Sequence, residues 1–322
     1  MDTNELPQWS TFWEQGFITT FGPSKPDNYD GVLRDFWHEK FLELPVGARV
    51  LDIATGNGAI ATIAAQAGLD HNKELFVAAT DLARISTDIV GSDDTVQLRE
   101  SIEFHSDTPC EDQPFEDDYF DFVSSQFGFE YSNVESTLQE VRRVLKTDGQ
   151  FIAISHHISS QLIKAAIDEL EVYRHALDKL NIFGTVREYF DALGELGGSR
   201  EDLNEAMKLA APRSRRVNDC MNTFRDEHPN DECAKEIVAA VGYLARGASQ
   251  TPKAERLGAV DAAQVSYRMA QARLEDMVDA AMDQEDIDSL TVHARSAGFT
   301  SVNCLSLFVE DGGLAGWQIH MR

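Results

Sequence analysis

Residues 49–61 read RVLDIATGNGAIA, and no other stretch restricts the possible folds of this chain as tightly. Residues 50–54 are an apolar run of strand length. The run breaks at Thr55-Gly56-Asn57-Gly58, and a helix-forming run resumes over 59–67. The pattern predicts a buried parallel strand, a glycine turn, and a helix whose first backbone N–H groups lack intrahelical partners. Gly56 and Gly58 allow the sharp turn and leave no Cβ between backbone and ligand. A helix N-terminus in this setting suits the anionic or polar part of a nucleotide-like cofactor.

Read literally, residues 56–61 fit G-x-G-x-x-[GA], the dinucleotide fingerprint. Asp52 argues against that reading. It lies inside the strand, where a carboxylate would face a pyrophosphate at close range; it suits instead a ligand carrying a cationic amine and a sulfonium. The stretch resembles motif I of the class I S-adenosylmethionine (SAM) dependent methyltransferases, usually [DE]-x-G-x-G-x-G, with Ala54 in place of the first glycine. Further along, strand 101–105 is followed by Ser106-Asp107-Thr108 and then by Gln-Pro-Phe-Glu-Asp-Asp-Tyr-Phe-Asp-Phe-Val over 113–123. This block resembles the family's strand, x-D-[AT], L-P-F-x-D-x-x-F-D-x-V pattern, a pairing that dinucleotide folds lack. The run V-R-R-V-L-K-x-D-G-Q-F over 141–151 is similar to the family as well.

The resemblance implies a Rossmann-like α/β fold: a seven-stranded, mostly parallel sheet in the order 3-2-1-4-5-7-6 with strand 7 antiparallel. It implies SAM as cofactor and S-adenosylhomocysteine (SAH) as product. Asp52 is expected at the methionine amine, directly or through water, with Ala54, Thr55, Gly56 and Gly58 forming the cofactor loop. Strand 75–80 ends at Asp81, and an acid at that tip can accept both ribose hydroxyls, although dinucleotide folds use the same device. Leu82 is expected to pack on the adenine. The resemblance further implies that Asp107 accepts from the adenine amino group, with Thr108 beside the ring. Strand 121–125 ends in Ser125 and Gln126, candidates for contacts to donor or acceptor, with Phe127 and Phe129 walling the acceptor.

Strand 150–155 ends at His156 and His157, on the carboxyl edge where open α/β sheets bind ligands. Either imidazole can serve as a general base or orient an acceptor; the alternative is a hydrogen bond to the neighbouring loop. Adjacent strand residues point to opposite faces and no third ligand is near, so no metal site is expected. Residues 1–45 are rich in aromatics and broken by Pro7, Pro23 and Pro26, with an amphipathic helix over 30–42. They form either an arm packed on the sheet or a flap over the site, with Tyr29 and Trp13 the expected pocket-facing rings and Tyr29 a third catalytic candidate. Residues 158–286 change to helical periodicity, punctuated at Gly197-Gly198, Pro212, Pro229 and Gly247, and suggest about five helices. That block is far longer than an ordinary α/β connection. It is expected to be an inserted subdomain, a lid, a homodimer surface or both, between core segments 46–157 and 287–322. Its Arg213, Arg215 and Arg216 either hold an acidic substrate group or pair with surface carboxylates. A helix over 287–298 and two strands joined by Glu310-Asp311-Gly312-Gly313 complete the pattern.

Composition narrows the partners. A formal net charge of −27 over 322 residues repels phosphate backbones and anionic membranes. The N-terminus is acidic rather than signal-like, and no apolar run approaches the ~18 residues of a membrane span. Four cysteines without a C-x-x-C pair suit free thiols in a reducing cytoplasm. The expected activity is methyl transfer from SAM to a small molecule. The alternatives are a methyltransferase acting on protein or RNA, a SAM-binding protein that does not methylate, and an NAD(P) oxidoreductase.

Overall fold

A computed structural model describes residues 7–22, 27–195, 199–246, 248, 250–309 and 312–322. Pro23, Pro26, Gly197, Gly198, Gly247 and the Glu310-Asp311 half of the expected hairpin turn lie outside the described residues. The strands are β1 (Arg49–Ile53), β2 (Phe76–Thr80), β3 (Ile102–His105), β4 (Phe120–Gln126), β5 (Leu145–Ser155), β6 (Val302–Phe308) and β7 (Leu314–Met321). The first helices are α1 (Pro7–Trp13), α2 (Gly31–Leu42), α3 (Ala59–Asp70), α4 (Asp93–Arg99) and α5 (Val134–Val144). They are followed by α6 (Gln161–Arg174), α7 (Ile182–Leu193), α8 (Arg200–Glu227), α9 (Glu232–Ala245), α10 (Lys253–Ala280) and α11 (Gln284–Ala297).

The chain forms two compact units, residues 1–164 with 276–322, and residues 165–275. In the first, the strands make one seven-stranded sheet in the order β3-β2-β1-β4-β5-β7-β6. The pairs from β3 through β5 are parallel, and β7 runs antiparallel to both β5 and β6. The expected topology is therefore the observed one. Alternation along the strands feeds two cores. Leu51, Ile53, Val123 and Phe151 pack with Leu138 and Val141 of α5 and Leu290 and Ala294 of α11. Val50, Val77, Phe122 and Ile152 pack with Trp37 and Phe41 of α2 and Ile60 and Ile63 of α3. Helix ends follow local chemistry: Asn133 caps α5 by accepting from the Ser136 N–H, Asp283 and Asp286 form a capping box on α11, and Gly298 closes α11 at φ 106°.

Two breaker signals are overridden. Residues 146–149, Lys-Thr-Asp-Gly, do not close a turn ahead of a strand that begins at 150. Pairing starts at Phe120 opposite Leu145 and resumes at Phe122 opposite Gln150, so these residues are an excursion inside β5. Pro212 does not interrupt the helical region either; it sits within the 28-residue α8. The second unit has a core of its own, in which Phe183, Phe190, Ile237, Val260 and Phe224 are buried. A π-helical turn, His175–Lys179, leads from α6 toward α7. Among the described residues no helix is long and apolar enough to cross a membrane.

Candidate active site

The carboxyl ends of β1, β2 and β4 open onto a cavity of about 340 Å³. Asp52 stands in β1 opposite Ser124 of β4, and the pairing brings the Ser124 hydroxyl to one carboxylate oxygen at 2.7 Å. The Thr55 hydroxyl donates to the other oxygen. Burial outweighs both donors and pushes the Asp52 carboxyl up to about 7. Asp81, immediately after β2, accepts the Gly56 N–H and the Ala83 N–H at 2.7 Å each, and burial raises it to about 6. The second acid thus clamps the glycine turn from the neighbouring strand tip.

The turn itself has a division of labour. Ala54, where the family pattern has glycine, holds φ 50°. Gly56, at φ 56°, is covered by the Trp13 indole so closely that a Cβ there would lie 2.4 Å from the ring. Gly58 caps α3 at φ 86°, and a Cβ there would meet the Phe104 ring at 2.7 Å. Gly58 therefore serves packing and does not line the cavity. Behind it the buried Arg99 donates to the Asn57 and Ser86 carbonyls and lies 4.3 Å over the Phe104 ring. Asn57 in turn donates to the Trp13 and Phe17 carbonyls, which ties the N-terminal segment to the turn. Trp9 stacks on Trp13 at 6.4 Å, meets Tyr131 edge-on at 5.7 Å, and donates its indole N–H to Asp276 at 2.8 Å.

Tyr29 and Trp13, the two rings expected at the pocket, both line the cavity, as do Asp52, Ala54, Thr55, Gly56, Asp81, Leu82 and Gln126. Burial pushes the Tyr29 hydroxyl up to about 12, so at neutral pH it is an O–H donor and a poor base. Other expected residues lie elsewhere. The Ser125 hydroxyl is spent on the backbone, donating to the Ile53 carbonyl at 3.0 Å and accepting the Phe129 N–H at 3.1 Å. Asp107 is exposed at φ 54°, and Thr108 reaches the site only through its N–H to the Asp81 carbonyl. Of the two expected wall phenylalanines, Phe127 lines the cavity while Phe129 is fully buried against Phe151.

Neither imidazole reaches the cavity. His156 is 3% exposed, 4.6 Å from the Phe127 ring, and its Nδ1 is 2.8 Å from Glu130. His157 stacks on Trp317 at 4.4 Å, accepts the Ser159 N–H, and is held below the usual histidine range by burial. Sequence reasoning missed Thr19, Cys110, Glu111, Tyr131 and Asn133, which also line the wall. Three carboxylates line the cavity, Asp52, Asp81 and Glu111; no lysine, arginine or histidine does among the described residues. Such a site favours a cation or a neutral molecule. Among the described residues no cluster of histidine, cysteine or acid could hold a metal ion.

Residues 51–153 match the sequence model of the methyltransferase domain family. The chain is 23% identical over 212 residues to the ubiquinone/menaquinone biosynthesis C-methyltransferase UbiE of Rickettsia felis, covering 57% of this chain and 85% of that one. It is 32% identical over 124 residues to the uncharacterized methyltransferase YcgJ of Bacillus subtilis, covering 37% of this chain but only 44% of that relative. Among solved structures, a SAM-dependent methyltransferase of Aquifex aeolicus aligns at 18% identity over 49% of this chain and 76% of that one, with a TM-score of 0.34. The domain match coincides with the strands that carry Asp52, Asp81 and Gln126, on a sheet of the expected order. Residues 51–153 are thus similar to the methyltransferase domain family, and the sheet around them has the strand order expected of class I SAM-dependent methyltransferases.

Proposed function

We propose that this protein moves the sulfonium methyl group of SAM to a small, uncharged or cationic acceptor and releases SAH. The observation that carries the reading is a cavity with the buried Asp52 and the half-buried Asp81 at two strand tips, a glycine turn between them, and walls of Trp9, Trp13, Tyr29, Phe127 and Tyr131. Asp52 is suited to the methionine ammonium, Asp81 to the ribose hydroxyls, and Leu82 to the adenine face. SAM supplies a methyl group already activated by the sulfonium. The protein's task is to align donor and acceptor and to keep water out, which in favourable cases supplies several kcal/mol of the barrier. With no imidazole among the described wall residues, positioning is assigned the main part and no general base is named.

The absence of a cation among the described wall residues and the net charge of −27 weigh against an RNA acceptor. Isothermal titration of the full chain with SAH tests the reading. Asp81→Ala is expected to weaken SAH about 10- to 100-fold, the scale of hydrogen bonds to a charged group. Affinity unchanged in that variant removes Asp81 from the site, and a wild-type protein that ignores SAH but takes up a nicotinamide dinucleotide defeats the whole reading. Release of SAH with a small-molecule extract, and not without it, separates an enzyme from a SAM-binding protein that does not methylate.

A further inference from the structure

The rings that line the cavity divide by the chain segment that carries them. Trp13 lies over Gly56 of the glycine turn, beside the acids suited to the cofactor. Phe127 and Tyr131 come from the segment after β4, and Trp9 of α1 meets Tyr131 edge-on at 5.7 Å. All three are half-buried, so each keeps surface for a ligand.

Two carboxylates back this second group without lining the cavity themselves. Asp276 accepts the Trp9 indole N–H and a side-chain N–H of Gln8, both at 2.8 Å. Glu130, 7% exposed, lies 2.8 Å from the backbone nitrogen and from Nδ1 of His156, whose ring is 4.6 Å from that of Phe127. Both acids act on Tyr131. Burial first, and then the charges of Glu130 and Asp276, hold its hydroxyl well above the usual tyrosine range. An aromatic face already carries negative potential, and donation of an indole N–H to a carboxylate polarises the ring further in that direction. This end of the cavity therefore suits positive charge on two counts, its π-electrons and the acids behind them.

Methyl transfer conserves charge, and that constrains the acceptor. The sulfonium loses its positive charge when the methyl group leaves, and with an amine acceptor the charge reappears on nitrogen. We infer that the acceptor is a tertiary amine, that Trp9, Phe127 and Tyr131 hold the quaternary ammonium it becomes, and that Asp276 is a positioning residue acting through Trp9. The inference rests on the SAM reading above. The nitrogen lone pair forms the new N–CH₃ bond as the S–CH₃ bond breaks, and the electron pair of that bond stays on sulfur as SAH. A tertiary amine has no proton to surrender in this step, so no base is required. The charge shared between sulfur and nitrogen in the transition state lies against groups already placed for it.

The test reads two probes on the SAH-loaded full chain by ligand-observed NMR. One is choline, a quaternary ammonium; the other is 3,3-dimethylbutan-1-ol, its uncharged carbon isostere. Choline is expected to bind about two- to thirtyfold more tightly, the span of cation–π contacts from exposed to desolvated. Asp276→Asn keeps an acceptor for Trp9 but removes the charge, and Trp9→Leu removes the ring; each should cut the advantage of choline to less than about half. Asp276→Asn should leave SAH affinity within about twofold, because this carboxylate stands outside the cavity wall. Thermal melts confirm that each variant is folded. Choline bound no better than its isostere in the wild type, or an advantage kept in either variant, overturns the inference while SAH binding in the same samples leaves the cofactor reading in place. SAH released from SAM with phenols and not with tertiary amines overturns it as well. Failure of the wild-type protein to bind SAH overturns both.

Discussion

The sheet unit and the helical unit treat their acids in opposite ways. At the cavity, Asp52 is buried and Asp81 half-buried; both are paired with neutral donors and raised to about 7 and about 6. On the helices the acids meet cations. Asp178 is held below its usual range by Arg268, and Asp191 by Lys253 at 2.9 Å. Arg187 and Arg216 pair with Asp261 and Glu188 at 2.8 and 2.9 Å. The basic cluster singled out in the sequence thus has at least one member in an ordinary surface pair, worth little to stability. The contrast separates two uses of negative charge. Surface acids here join helices through ion pairs, whereas the cavity's carboxylates face no protein cation among the described wall residues, a condition that a cationic ligand would relieve.

Three substitutions sharpen or break this contrast, the largest effect first. Phe224 is fully buried in the helical core against His175 and His228. Phe224→Ala should cost about 3–5 kcal/mol in denaturant unfolding of that unit. SAH affinity measured under folding conditions should stay within twofold; a parallel loss would mean that the two units do not divide structure from ligand binding.

Asp52→Asn comes next, and its sign depends on pH. The folded carboxyl titrates at about 7, above its unfolded value, so the stability this group contributes is complete below the unfolded pKa and is lost as pH rises toward 7. At pH 8 the variant should therefore be the more stable protein, by on the order of 1–3 kcal/mol after imperfect hydrogen bonds to Thr55 and Ser124 are deducted. SAH affinity should fall in the variant. In the wild type it should weaken as pH drops below about 7, because the ligand ammonium needs the ionised acid. A flat difference in melting temperature between pH 5 and 8 would refute the burial argument. The smallest effect is at Ala54, whose φ of 50° suits glycine better. Ala54→Gly should change stability by between 0 and about 1 kcal/mol in the favourable direction, the strain relieved being partly cancelled by backbone entropy.

How legible the molecule was follows from how far each signal reaches along the chain. The strand–turn–helix at β1 and α3 and the acid at the tip of β2 depend on neighbours within a few residues, and the sequence pattern anticipates them. Asp52 and Asp81 were visible for the same reason. Thr19 and Tyr131 were not, because each arrives from a segment whose place is set by distant packing. The Thr19 segment is tied down through Asn57, and Tyr131 sits under Trp9. The histidines show the limit of a strand-edge argument. His156 is turned into a buried contact with Glu130, and His157 is drawn onto Trp317 of β7, a partner visible only once the antiparallel pairing is known. Asp107 is at the expected place in the sequence, yet its left-handed backbone and exposure put it outside the cavity wall. Pro212 and residues 146–149 carry ordinary breaker signals that tertiary pairing overrode.

Of the four tryptophans in the chain, Trp9 and Trp13 line the cavity and Trp37 touches Gln126 from behind, leaving only Trp317 apart. The protein therefore carries its own optical gauge. The Trp13 ring lies directly over Gly56 of the glycine turn, so the intrinsic emission of the unlabelled chain can report arrival and departure of a guest in real time, without a dye or a known acceptor.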